Sequence, residues 1–291
     1  MNHGFPPTTD GRGCVHPRLR TTLSLLGLGL GIAVASLAAD APGPVQDSIP
    51  SGPSPGKGRA LAGPLAQAKP PGPAQAPTGV RFDPVVRTIE GWTVSVDPAL
   101  LNAGPDSDDA RALAMLGNHL QRIRILVSPE PLAKLQTIGI WIERDHPTLK
   151  SMQYHPSADW LVEHGHDPRL ARKVHITQAR DLLSREQMLK HPAVVLHELA
   201  HGYHDQVLGF NNPELVAAYT AAKASGSYDN VLLYTGERVR HYGLTDPMEY
   251  FAEGTEAHLY RNDFYPFVRA ELKEHDPVLH ALLVRIWDPP R

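Results

Sequence analysis

Hydrophobic and polar positions follow two different periods along this chain, and the change from one to the other divides it. In "VRFDPVVRTIEGWTVSVD", residues 80–97, two apolar-rich runs flank Glu90-Gly91, which predicts a β-hairpin. Residues 106–127 repeat at helical spacing. Leu113, Leu116, Leu120, Ile123 and Leu126 or Val127 share a face, and Asp106, Ser107 or Asp108 is available as the cap. "TIGIWIER" (137–144) alternates and is rich in β-branched residues. It predicts a strand, either in the core or at a sheet edge open to an extended peptide. "KVHITQ" (173–178) predicts another. From Pro192 the period becomes helical: a helix to Leu208, with proline at its start, then "PELVAAYTAAKAS" (213–225) and "DPMEYFAEGTEAHLY" (246–260). "DFYPFVRAELKEHD" (263–276) and "PVLHALLVRIW" (277–287) add two more. A small sheet followed by a mostly helical half is an α+β pattern.

The N-terminal part has neither period. Arg18 and Arg20 precede "LSLLGLGLGIAVASLAAD" (23–40), uncharged until Asp40, with Ser36 and Ala38 placed for cleavage after Ala38. Residues 1–39 therefore read as a signal peptide, or as an uncleaved membrane anchor, and the remainder of the chain is expected to be exported. Membrane contact is expected only if that segment is kept. Residues 40–79 interleave Pro, Gly, Ala and Ser with few large apolar residues, a composition that cannot offset its ordering entropy and predicts a disordered linker. Residues 80–291 are long enough for one sizeable core. A net charge of −3 gives no reason to expect a nucleic-acid partner. The single cysteine, Cys14, rules out an internal disulfide framework.

Among 16 histidines, three stand in "AVVLHELAHGYHD" (193–205). On a helix His197 and His201 are one turn apart on one face, able to meet a single tetrahedral zinc ion. Glu198 points beside that ion, where a general base for a bound water belongs. The extended pattern with a third histidine fails, because it needs Gly at 204 and His at 207 where the chain has His204 and Val207. An acidic third ligand is the alternative, and Glu249, Glu253 and Glu256 are on offer. Glu249 and Glu253 are four apart: one can bind zinc while the other orients a ligand histidine. His204 is expected to line the cleft, one turn too far to ligate. Asp205 reads as a surface carboxylate or an orienting partner for a histidine. His155, His164, His166 and His175 lack ligand spacing and read as satisfied or solvated, and Phe264, Tyr265 and Phe267 as core.

The zinc motif followed by "EYFAE" resembles the gluzincins related to the anthrax lethal factor catalytic domain and the Pro-Pro endopeptidases. There a ligand glutamate opens the later motif, a second acid follows four residues on, and a tyrosine lies seven residues before the ligand. The resemblance, over residues 192–260, implies a zincin-like metallopeptidase domain. It implies His197, His201 and Glu249 as Zn2+ ligands, Glu198 as base, Glu253 behind a ligand histidine, and Tyr242 at the oxyanion. A longer stretch, "EYFAEGTEAHLYRNDFYPFVRAEL", also resembles secreted bacterial and fungal metallopeptidases. The expected activity is zinc-dependent hydrolysis of a peptide or protein substrate. The alternatives are a zinc-binding interaction module without turnover, or a hydrolase of a non-peptide cell-wall amide. Neither cleavage specificity nor oligomeric state is encoded in these features.

Overall fold

β1 (Val85–Ile89) and β2 (Trp92–Val96) pair antiparallel, with Ile89 opposite Trp92. Both turn residues take positive φ, 49° at Glu90 and 94° at Gly91. That backbone lets a two-residue turn follow the strand twist. The φ of 94° at Gly91 favours glycine, and a Cβ there would also displace Gln136 Nε2, 2.3 Å away, whose amide donates to Glu90 O at 3.1 Å. The computed structural model of the protein describes residues 79–289. The expected export segment (1–39) and all but the last residue of the expected linker (40–79) lie outside the described residues.

α1 (Asp108–Leu126) starts where Ser107 Oγ accepts from the Ala110 N–H at 3.1 Å, with Asp108 and Asp109 in its first turn. After α2 (Pro129–Leu135) come β3 (Gly139–Ile142), β4 (Gln153–Tyr154), α3 (Ala158–Glu163) and β5 (Lys173–Ile176). The strands form one sheet in the order β1-β2-β3-β5-β4. β2, β3 and β5 run parallel, and β1 and β4 are antiparallel edges. The segment "TIGIWIER" is thus an interior strand; the edge alternative fails because neighbours occupy both sides of β3. On that side of the sheet the free edge belongs to β4.

Alternation sorts the side chains of these strands. Val94, Ile140, Ile142, Val174 and Ile176 enter the main core with Leu116 and Leu120 of α1, whereas Trp141 packs on the other face with Leu161 and Leu170. With both faces covered, the central strand β3 is apolar throughout, GIWI.

The second half comprises α4 (Arg185–Lys190), α5 (Val194–Tyr203), α6 (Pro213–Ser225), the short pair β6 (Val231–Leu232) and β7 (Arg238–Val239), α7 (Pro247–Leu259), α8 (Arg269–His275) and α9 (Pro277–Trp287). The α+β organisation, a small sheet before a mostly helical half, is as the sequence pattern predicts. Two boundaries differ. α5 begins after Pro192, with Ala193 as its N-cap, and its last five expected residues, His204–Leu208, form a wider π turn. Residues 263–268 are not helical. Pro266 disfavours helical backbone before it, and the segment instead bonds to the hairpin strand, Tyr265 N–H to Leu232 O and Tyr234 N–H to Asp263 O, both 2.8 Å. Among the described residues no helix is long and apolar enough to cross a membrane.

α5 and α7 pack side by side at the centre of this half. Every residue of α7 from Tyr250 to Leu259 is buried, as is all of α5 except His201. Helices buried all round are normally apolar all round. These two carry His197, Glu198, Glu253 and Glu256 inside, and such groups need partners.

Candidate metal centre

The partners are one another. His197 Nε2 lies 3.1 Å from His201 Nε2 and 3.1 Å from Glu249 Oε2, and His201 Nε2 lies 3.4 Å from the same oxygen. Donors held about 2.0–2.1 Å from a tetrahedral ion are roughly 3.3 Å apart. The triangle therefore has the dimensions of three ligands of one ion. Asp246 sets the position of Glu249: its Oδ1 accepts from the N–H groups of Met248 and Glu249 at 2.8 and 2.9 Å, capping α7 at the turn that carries the glutamate.

Behind the triangle stands Glu256. Its Oε1 accepts from His197 Nδ1 at 2.6 Å and from His191 Nε2 at 2.9 Å. Glu253, expected behind a ligand histidine, has its Oε1 3.8 Å from His197 Nδ1, beyond hydrogen-bond length. A proton held on Nδ1 by Glu256 leaves the Nε2 lone pair of His197 directed into the triangle. His191, His197 and Glu256 also lie close enough to group about an ion. A histidine offering Nε2 keeps its proton on Nδ1, however, so Glu256 acts here as hydrogen-bond acceptor.

The electrostatics divide the carboxyl groups. Burial alone would raise Glu249, but its contacts with His197 and His201 outweigh that and hold it far below the usual carboxylate range. Glu256 is likewise buried and likewise held down by His191 and His197. Glu253 is pushed well up by burial and by the negative Glu256 nearby. Burial also raises Glu198, against the pull of His197 and His201. Asp263 is pushed up to about 6 by burial, partly opposed by His191.

The triangle opens onto a cleft of about 840 Å³ lined by Glu198, Tyr242, His191, Phe264 and the backbone stretch through β4, among others. Tyr242 sits in a short 3₁₀ turn, Tyr242–Leu244, held by the buried His241, whose Nδ1 accepts from the Gly243 N–H at 2.9 Å. The Tyr242 phenol is half-exposed and donates to Glu249 Oε1 at 3.2 Å. The helix, the cleft and the tyrosine thus bring together His197, Glu198, His201, Tyr242 and Glu249, with Glu253 alongside.

His204 does not line the cleft. One turn beyond His201 the helix face meets α7 and the loop after the π turn, and His204 is fully buried between Phe251 and Phe210 with neither ring nitrogen bonded. Burial pushes its pKa down to about 4, so it is a neutral core residue. Asp205 accepts from the Tyr154 phenol at 2.6 Å rather than orienting a histidine. His155 and His175 are satisfied: His155 Nε2 meets His175 Nδ1 at 3.1 Å, and His175 Nε2 meets Glu143 Oε1 at 3.1 Å.

Sequence spacing alone does not identify His191 or Asp263. Glu256 had one available signal: it lies seven residues after Glu249, two helical turns along the same face. His191 precedes the break before α5, so no helical period links it to His197.

No protein-family model matches the chain, and no curated protein matches it. Among solved structures, the Pro-Pro endopeptidase PPEP-2 from Paenibacillus alvei is similar with a TM-score of 0.42 and 18% identity, over 69% of this chain and 100% of that one.

Proposed function

We propose that the protein is an exported zinc-dependent endopeptidase. The observation that supports this most is the His197–His201–Glu249 triangle at the floor of an open cleft. Two imidazoles and a carboxylate with one side open suit a catalytic zinc better than a structural one, which is closed by four protein ligands. Zinc held by these three would polarise a substrate carbonyl and lower the pKa of water towards neutrality. Glu198 takes the proton of the attacking water and returns it to the leaving amine. Tyr242 turns its phenol from Glu249 to the carbonyl oxygen as negative charge gathers there, a bond stronger in the transition state than in the ground state. β4 is an edge strand whose Gln153 and Tyr154 line the cleft, and its unpaired side would receive an extended peptide by strand addition. Export rests on the character of residues 1–39.

The test is metal analysis of the purified chain together with cleavage of a peptide library. Stoichiometric zinc is expected, with cleavage that a chelator abolishes and added zinc restores. Glu249→Ala is expected to weaken zinc binding by at least about 100-fold, since two ligands remain; undiminished affinity would remove Glu249 from the ligand set. Zinc bound without cleavage of any peptide would favour the binding-module or non-peptide-amide alternative.

Glu256→Gln gives a milder outcome. The amide keeps the shape but loses the charge that holds the His197 proton. Zinc affinity is expected to fall roughly 10- to 100-fold, read by competition with a chelating dye. An equal loss in Glu253→Gln would shift that role back to Glu253.

A further inference from the structure

β4 is only two residues long, paired on one side with β5, Gln153 opposite His175 and Tyr154 opposite Val174. So short an edge strand holds its position weakly through backbone pairing alone. Its side chains fix it instead. Gln153 and Tyr154 point to opposite faces, and Tyr154 faces α5, where the ring lies directly on Gly202. A Cβ at that glycine would fall 2.8 Å from Ile138 Cγ2 and 3.2 Å from Tyr154 Cε2, so the missing side chain sets how closely sheet and helix approach. Beyond the ring, the Tyr154 phenol donates to Asp205 Oδ2 at 2.6 Å. It accepts in turn from Gln206 Nε2 at 2.9 Å, and the same amide nitrogen donates to Arg172 O at 3.0 Å. Asp205 and Gln206 belong to the π turn that continues α5. Gly202 follows His201 directly, so ring and phenol together tie the cleft-lining edge to the helix that carries both histidines.

We propose that Tyr154, with Gly202 and Asp205, is a positioning clamp that fixes the height of the β4 edge above the metal centre, and so the register in which an extended peptide meets Glu198. This rests on the peptidase reading. Neither Tyr154 nor Asp205 hydrogen-bonds to the ligand triangle or to Glu198, so the clamp acts on how substrate is held rather than on zinc or proton transfer. The π turn contributes by setting the backbone of Asp205 and Gln206 beyond the end of the α-helical turns. π turns recur at functional sites.

The test compares Tyr154→Phe, Asp205→Ala and Asp205→Asn with the wild-type full chain, using the best-cleaved fluorogenic peptide from a library, zinc content, and hydrogen exchange of the amides at 153–155. Tyr154→Phe keeps the ring on Gly202 and loses only the bond to a carboxylate. It is expected to raise KM about tenfold with kcat within about twofold, to leave zinc content unchanged, and to speed exchange at His155, whose N–H donates to Lys173 O. Asp205→Ala matches it, and Asp205→Asn, which keeps an acceptor oxygen, recovers most of the KM and the slow exchange. Unchanged exchange at 153–155 in Tyr154→Phe overturns the clamp whether or not any peptide is cleaved. A fall in kcat with KM unchanged also overturns it, because the phenol would then serve the reaction itself. If the wild type cleaves nothing, the peptidase reading fails while the exchange measurement still decides whether Tyr154 holds the strand.

Discussion

Glu198→Gln is expected to keep zinc at the wild-type level and to lower peptide turnover by about 10³-fold or more. The glutamate is buried, lines the cleft, and is separate from the triangle formed by His197, His201 and Glu249. Removing its charge therefore costs no ligand. Glutamine is nearly isosteric, so packing in α5 survives, but an amide cannot accept the water proton. General base catalysis is worth about 10²–10⁴-fold, and the lost group also delivers the proton to the leaving amine, which places the effect in the upper part of that range. Because the loss lies in proton transfer, kcat falls while KM stays close to wild type. The measurement is single-turnover cleavage of a library-derived peptide with zinc quantified in the same sample. Cleavage within tenfold of wild type would sink the role of Glu198, and loss of zinc would move it into the ligand set.

The sequence carries the helices well where one face stays apolar over several turns, as in α1, α6 and α9. It carries the His197/His201 pair because four residues on a helix is a fixed geometry. Depth is a different matter. His204 shares a face with His197 and His201, yet Phe251 and Phe210 cover that face one turn further along, and periodicity reports direction only. The choice between Glu253 and Glu256 behind His197 has the same character. Both lie on α7, and the crossing with α5 decides which carboxylate reaches Nδ1, at 2.6 against 3.8 Å. The short strand β4 is illegible in the sequence because two residues carry no period at all.

The buried histidines make a second large effect, in stability. His155, His175 and His241 are held at about 3, first by burial and then by neighbouring cationic or histidine groups. None is a member of the proposed ligand triangle, and all three are at most 3% exposed. In the unfolded chain each titrates near 6.5. Above that pH both states leave them neutral and nothing is gained or lost. As pH falls below 6.5 the unfolded chain takes up protons that the folded chain refuses, so stability drops, and it keeps dropping until the folded value near 3 is reached. Each independent histidine contributes a slope of about 1.4 kcal/mol per pH unit. His155 and His175 share a hydrogen bond, which moves their folded values but not the number of protons the unfolded chain takes up, so the three together approach about 4 kcal/mol per unit well below pH 6.5. The unfolded histidines are half protonated at pH 6.5 and nearly fully so at 5, so the loss over that interval is roughly 5 kcal/mol, a large part of the 5–15 kcal/mol typical of a folded domain.

Asp263 works against this. With its folded pKa raised to about 6, it takes up a proton on folding as pH falls from there towards its unfolded value, returning about 1.4 kcal/mol per unit over that interval. Glu198 and Glu253, raised by burial, act in the same direction as Asp263, while His119, His146, His204 and His258, lowered by burial, join the other three histidines. The histidines prevail, so the urea midpoint is expected to decline steadily from pH 6.5 downwards rather than only once carboxylates titrate. His241→Asn isolates one share of the slope. The asparagine oxygen can accept from the Gly243 N–H in place of Nδ1, so the turn before α7 keeps its bond while the titrating group is gone. The variant is expected to lose stability at pH 8 but to decline by about 1.4 kcal/mol per unit less below pH 6.5. Parallel curves for the two proteins would acquit His241, and a flat wild-type midpoint down to pH 4.5 would mean that the histidines open to solvent without unfolding the core.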